Sequence, residues 1–259
     1  MKFSLITVTM GDRPGDLARL GASLDAQTYR DFEWIVVSHR EHPEFGGGLS
    51  RARNFGISQA TGSVLAFPDD DAWYGKDVLR DAAGALGAPD VDGVSFRVVD
   101  ENGKCSAGWM SGEKRHVTRH SIWHTAVSCS IFVKRSAIGD VRFDERLGVG
   151  SGTRFGSGEE TDFLLSLLER GAMMEYDGTK CVFHPAVSRS VKIAKGWKYG
   201  NGCGLTLRRH GYSAMRLSWA VAVQLARAAQ SLALLNPRKA MFHSAMAAGR
   251  LAGYLLPLA

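Results

Sequence analysis

The sequence predicts an α/β fold: a mostly parallel central sheet flanked by helices, with a C-terminal helical appendage. Three observations carry that expectation. Across residues 3–71, apolar runs of strand length alternate with segments of helical periodicity. The composition, 45% hydrophobic and 22% charged over 259 residues, is that of a chain with a closed core. Residues 213–259 repeat a helical period on either side of Asn236-Pro237.

Phe3-Ser4-Leu5-Ile6-Thr7-Val8 reads as the first strand, Asp16 to Gln27 as an amphipathic helix, and Glu33 to Val37 as the second strand. A second helix over Ser50 to Ala60 leads into a third strand, Ser63 to Phe67. Strand, helix, strand, helix, strand implies a parallel sheet covered on both faces. Ligands of such sheets bind beyond the carboxyl ends of the strands, where Thr9 to Arg13, Ser38 to Gly48 and Asp69 to Asp71 fall. Gly46-Gly47-Gly48 reads as a flexible loop edge. Further along, Phe163 to Arg170 forms a helix with Gly171 just past its end, and Thr179 to Phe183 reads as a strand ending at His184. Lys192 to Gly204 mixes cations, aromatics and glycines, the composition of an active-site flap or of a linker.

Three consecutive carboxylates, Asp69, Asp70 and Asp71, stand where a buried strand emerges, which calls for a compensating positive charge. In an extended segment the side chains at i and i+2 share a face, so Asp69 and Asp71 converge on one ion. A hard divalent cation, Mg2+ or Mn2+, suits such oxygens and bridges them to substrate phosphates. The competing reading is a solvated acidic loop capping Trp73-Tyr74.

Leu5-Ile6-Thr7-Val8-Thr9, Ser23 to Tyr29, Glu33 to Val37, Gly48 to Asn54 and Phe67-Pro68-Asp69-Asp70-Asp71 follow one another at spacings that resemble the family 2 glycosyltransferases of the GT-A fold. Phe143 to Gly148, Gly158-Glu159-Glu160-Thr161-Asp162 and Val182-Phe183-His184-Pro185 continue the likeness, which covers residues 1 to about 210. The resemblance implies inverting, metal-dependent sugar transfer from a nucleotide-diphosphate sugar to a lipid-linked or cell-surface glycan acceptor, in cell-surface polysaccharide synthesis. It assigns Asp69 and Asp71 as metal ligands, with Asp70 as the alternative because Pro68 stands where many relatives carry an aspartate. His184 matches a histidine that supplies a further metal contact in several relatives. Thr7, Thr9 and Arg13 match positions that cradle the base, and Ser38-His39 replaces the aspartate that reads uracil in many relatives. Arg51 and Arg53 stand where arginines meet donor phosphates. Glu160 matches the base that deprotonates the acceptor, with Glu159 as its rival and Asp162 as a helper or helix-turn acid. Trp109, Trp123 and His124 fall where the family contacts the acceptor. Two other functions use the same features: a nucleotide-sugar or glycoside hydrolase in which Glu160 activates water, and a non-catalytic glycan-binding or membrane-docking module.

Charge divides the chain. Up to Asp177 there are 20 basic and 26 acidic residues; from Gly178 on there are 12 basic and none acidic. That asymmetry suggests an anionic partner. No nucleic-acid-binding motif accompanies it, whereas apolar helical faces over Met215 to Leu235 and Arg238 to Leu256 favour an anionic membrane surface. Arg216, Gln224, Arg227 and Ser231 form one stripe, and His243 and Arg250 mark the polar side of the second segment. Central arginines favour a hairpin lying in the interface over two spanning helices. The division expected is a catalytic domain over 1–212 and a basic amphipathic hairpin over 213–259, with packing on the core or on another subunit as the alternative for the hairpin. Cys105, Cys129, Cys181 and Cys203 lack metal-site spacing, and Met1-Lys2-Phe3 leads straight into a strand, which points to a cytoplasmic protein held peripherally at the inner face of the membrane. Oligomeric state is not legible.

Overall fold

The computed structural model describes residues 1–106, 110–186 and 192–256. Trp109 lies outside them. The chain forms two compact units: Met1–Phe45, Arg51–Arg142 and Phe163–Val187 in the first, and Gly46–Ser50, Phe143–Asp162 and Ser188–Ala259 in the second.

The elements run β1 (Phe3–Thr9), α1 (Pro14–Asp25), β2 (Phe32–Ser38), α2 (Leu49–Gln59), β3 (Val64–Ala66), β4 (Trp73–Tyr74), α3 (Val78–Leu86), β5 (Gly93–Val99), β6 (Lys114–His116), α4 (Ile122–Thr125), β7 (Ile131–Lys134), α5 (Arg135–Ile138), α6 (Glu159–Glu169), β8 (Met174–Phe183), α7 (Ile193–Arg209), α8 (Ala214–Ala233) and α9 (Pro237–Leu255).

In the first unit one sheet has the order β2-β1-β3-β7-β5-β8-β4, with β6 also paired to β8. The parallel start expected from the sequence is present, since β1 pairs in parallel with both β2 and β3. β5 and β8 are also parallel, but the remaining four pairings are antiparallel, so the sheet as a whole is mixed. Strands as short as β4 and β7 carry too little period-2 signal to be read alone. Phe3, Phe67, Phe96, Phe132 and Tyr176 fill the core of this unit, with Phe132 packed edge-on against Phe3 at 6.1 Å between ring centroids.

In the second unit, Lys192 to Gly204 is not a flap or linker: most of it lies in α7. Its glycines are close-approach positions. A Cβ on Gly196 would lie 2.6 Å from Phe242 O, and Gly200 and Gly204 meet Met246 O and Arg250 O still more closely. Gly249 and Gly253 do the same from α9 against Trp197 O and Asn201 O. α7 and α9 thus pack backbone to backbone along facing rows of glycine. The hairpin expected at the C-terminus is present, with Asn236 capping α9 through Oδ1, which accepts from Lys239 N at 3.1 Å. Among the described residues, no helix is long and apolar enough to cross a membrane.

Candidate active site

Three loops of the first unit meet at the carboxyl ends of β1 and β3. Thr9, the last residue of β1, donates from Oγ1 to Asp70 Oδ2 at 2.7 Å. Arg13, just before α1, joins two members of the acidic run, with Nη2 2.6 Å from Asp70 Oδ1 and Nη1 2.5 Å from Asp71 Oδ2. Arg53 of α2, almost fully buried, donates to Asp69 Oδ1 at 3.1 Å, and Ser128 Oγ lies 3.3 Å from Asp69 Oδ2. The β2 end joins them through His39 N, which donates to Thr9 O at 3.0 Å. Ser38 Oγ accepts from Arg40 N. Thr7 faces the sheet instead: it is fully buried and its hydroxyl accepts the Trp34 indole N–H at 3.0 Å.

His184 arrives through strand pairing. β4 and β8 are antiparallel with Trp73 opposite Phe183, and these two rings stack at 5.4 Å. Asp71 and His184 flank that pair, and Asp71 Oδ1 lies 3.2 Å from His184 Nε2.

The electrostatics separate the three acids. Burial pushes the Asp70 carboxyl up, against the pull of Thr9 and Arg13. Burial would also raise Asp71, but His184 and Arg13 outweigh it and hold it at about 2. His184 is raised, because Asp71 outweighs the effect of its burial. Residues 69–72 form a turn closed by Ala72 N to Asp69 O at 3.0 Å, so the alternation of an extended segment does not apply. Asp70 spends both oxygens on Thr9 and Arg13.

The Asp71–His184 pair has the donor chemistry of a divalent-cation site. His184 Nδ1 lies 2.8 Å from Pro185 O, a carbonyl that only accepts, so Nδ1 carries hydrogen. A neutral imidazole then turns its Nε2 lone pair on a carboxylate oxygen, an arrangement that needs a proton or a cation between them. Two donors about 2.1 Å from one ion at a right angle lie about 3 Å apart, close to the separation here. Asp69 is not part of this pair, and among the described residues no three His, Cys, Asp or Glu side chains group to hold a metal.

In the second unit, Glu159, Glu160 and Asp162 occupy the first turn of α6. Gly158 has φ +91° and its carbonyl receives Asp162 N at 2.8 Å. Glu159 is buried with its carboxyl against Gly148, where a Cβ would sit only 3.0 Å away, while Glu160 is half-buried. Asp162 is committed to α7: Arg209 Nη1 lies 3.0 and 3.1 Å from its two oxygens and His210 Nε2 3.0 Å from Oδ1. Arg209 Nη2 also pairs with Asp144 at 2.7 Å. Burial would raise Asp144, but Arg146 and Arg209 hold it at about 2. A cavity of about 700 Å³ in this unit is lined by the glycine loop Gly148–Gly152 and by Lys192, Lys195, Lys198 and Tyr199.

Sequence reasoning missed Arg19 and Ser128. Arg19 Nη2 donates to Asp71 O at 2.9 Å and its guanidinium lies 4.3 Å over Trp73. Its placement on the helix face next to the acids was open to periodicity; Ser128, in a short turn before β7, carries no local signal.

Residues 38–141 match the model of glycosyl transferase family 2. No curated protein matches the sequence. Among solved structures, the mannosyltransferase PcManGT from Pyrobaculum calidifontis, in complex with GDP-Man and Mn2+, superposes with a TM-score of 0.63 at 15% identity, covering 98% of this chain and 87% of that one. S. aureus TarS 1-349 in complex with UDP-GlcNAc gives 0.60 at 16% identity, covering 97% and 91%. Against a longer TarS structure the values are 0.59 and 17%, and the chain spans 55% of that protein's length. Family match and fold agree: residues 38–141 carry the glycosyl transferase family 2 model, and the chain has the GT-A fold.

Proposed function

We propose that this chain transfers a sugar with inversion from a nucleotide-diphosphate sugar to a lipid-linked or cell-surface glycan acceptor at the inner face of the cell membrane. The observation that carries the reading is the acidic run at a strand end, held between Arg13, Arg53 and His184. Arg51 and Arg53 are the cations assigned to the donor phosphates, and Thr9, Arg13, Ser38 and His39 belong to the β1 and β2 ends assigned to the nucleoside. Support for that placement comes from His39, which is buried with Nδ1 unpartnered among the described residues. The complexes of the structural neighbours with GDP-Man and UDP-GlcNAc support a nucleotide-sugar donor.

Mn2+ or Mg2+ fits Asp71 and His184, with Asp69 or Asp70 as the further carboxylate, and when bound it neutralises charge developing on the departing diphosphate. Asp70 positions Arg13 and Thr9. Glu160 takes the proton from the acceptor hydroxyl as that oxygen bonds to the anomeric carbon and the bond to the diphosphate breaks. The greater exposure of Glu160 favours it over Glu159 for meeting an acceptor. Arg209 and His210 position the helix turn through Asp162. The three lysines of the second unit's cavity suit an acceptor carrying phosphate. All residues assigned to chemistry lie within 1–212, and 213–259 is assigned to the membrane.

The test is turnover of a nucleotide-sugar panel with Mn2+, with and without acceptors. Asp71→Ala should abolish transfer and metal-dependent nucleotide binding by calorimetry, and Glu160→Gln should keep donor binding while losing about 10²- to 10⁴-fold in transfer. Full activity in a chelator sinks the metal assignment, donor turnover indifferent to acceptors points to a hydrolase, and a normal Glu160→Gln beside a dead Glu159→Gln moves the base.

A further inference from the structure

The α8–α9 hairpin is built inside out for a helix pair in water. The buried face of α8 is Leu217, Ala220, Gln224, Ala228 and Ser231. Gln224 and Ser231 of the polar stripe anticipated from the sequence therefore face inward and are satisfied there, whereas Arg227 of the same stripe is exposed. His243 Nδ1 lies 2.8 Å from Gln224 Oε1, Arg250 donates to Ala220 O, and Ser231 Oγ donates to Arg227 O at 2.7 Å. Large apolar side chains point outward instead. Met215, Trp219, Leu225 and Leu232 are all more than half exposed, Met215 and Trp219 on the face opposite the buried one and Leu225 and Leu232 along its flank.

The turn between the helices continues this surface. Leu235 N donates to Leu232 O and Asn236 N to Ser231 O at 2.8 Å, which puts Leu235 at the residue closing α8, with φ +53°. That left-handed position favours glycine or asparagine and disfavours leucine. Yet it holds a leucine that is 90% exposed, beside Leu234 at 72%. At that exposure the side chain buries almost no apolar surface against the described residues.

A cavity of about 340 Å³ opens beside the same turn, lined by Arg227, Gln230, Ser231, Asn236, Lys239 and His243 together with Leu234. Arg227 and Lys239 form no ion pair among the described residues, and the chain has no acidic residue after Asp177 that could supply one locally. An apolar prominence beside an uncompensated basic cavity is complementary to one kind of partner, a lipid surface with anionic headgroups.

We infer that the hairpin tip is the membrane-docking element: Leu234, Leu235 and the outer face of α8 enter the acyl boundary, and the Arg227–Lys239 cavity takes a phospholipid headgroup phosphate. This rests on the membrane placement proposed above and names the surface responsible for it.

The experiment is flotation of the full chain with phosphatidylcholine vesicles, with and without phosphatidylglycerol, in the absence of donor and acceptor. The full chain should float with anionic vesicles and only weakly with neutral ones. Leu235→Gly should hold or raise the melting temperature, because glycine suits the left-handed turn, while cutting vesicle partition about ten-fold or more. Arg227→Gln and Lys239→Gln should each lower partition to anionic vesicles about five-fold and leave neutral vesicles unaffected. If the full chain floats and all three variants float equally well, the docking surface lies elsewhere while the membrane placement stands. If the full chain ignores anionic vesicles, both fail. A concentration-dependent dimer in sedimentation velocity that Leu235→Gly dissociates would assign the surface to a second copy and overturn the proposal.

Discussion

Glu33 shows how much one side chain on the sheet carries. In the parallel pairing of β1 and β2 it lies opposite Ser4, whose Oγ donates to its Oε1 at 2.5 Å. Thr61 N and Oγ1, Gly62 N and Lys2 Nζ add donors at 2.6 to 3.2 Å. Burial would raise its pKa, but these donors bring it down to about 2. The sign follows: a carboxylate depressed in the fold contributes stability that is complete above its unfolded value of about 4.3 and is lost as pH falls from there towards 2. Glu33→Gln should therefore cost about 1–3 kcal/mol at pH 7 in urea melts, with the gap to the parent closing near pH 2. A gap independent of pH would mean that packing, not ionisation, is at stake. The acidic run was legible residue by residue, because three adjacent carboxylates at a strand end need compensation wherever they occur. Its compensators were legible only in part. Arg53 lies 16 positions from Asp69, and Arg13, 57 positions from Asp70, follows a strand whose carboxyl end the strand-helix alternation places beside it, whereas Ser128 reaches Asp69 from 59 positions away through pairing that no local pattern encodes.

Elements fall into two classes by the same logic. The first three strands and their helices could be read to within a few residues because each has a burial period of its own, whereas β4, β6 and β7 are defined by their partners. α7 was misread because glycine lowers helix propensity, while here glycine is what allows α9 to approach. The two roles give opposite predictions for the same substitution. Gly84 in α3 has open space where a Cβ would go, so Gly84→Ala should stabilise by about 0.5–1 kcal/mol. Gly200→Ala gains the same propensity but drives a methyl against the backbone of Met246 and Gly249. Overpacking of this kind costs about 1–3 kcal/mol, more than propensity returns, so the urea midpoint should fall. A rise at both positions would show that α7 and α9 separate readily.

At the scale of the whole molecule, composition marked the last third as a basic appendage, and the packing gives that appendage a second task. α9 covers the glycine face of α7, Tyr254 OH donates to Tyr212 O at 2.7 Å, and Arg208 Nη1 reaches Leu256 O at 3.3 Å. α7 in turn supplies Arg209, followed by His210, to Asp162 in the turn that bears Glu159 and Glu160. Removing residues 213–259 would therefore strip α7 of its apolar and backbone contacts and leave a glycine-rich helix that propensity alone does not support. In the truncated chain, hydrogen exchange should show α7 amides unprotected while β1 to β3 of the first unit keep their protection. Metal-dependent nucleotide binding, assigned to Asp71, His184 and the arginines of that unit, should persist. Transfer should fall steeply even on a water-soluble acceptor, because the turn carrying Glu160, the base proposed above, has lost its anchor. A truncated chain that protects α7 and transfers normally would make the hairpin a detachable appendage, and would leave membrane docking as its whole contribution.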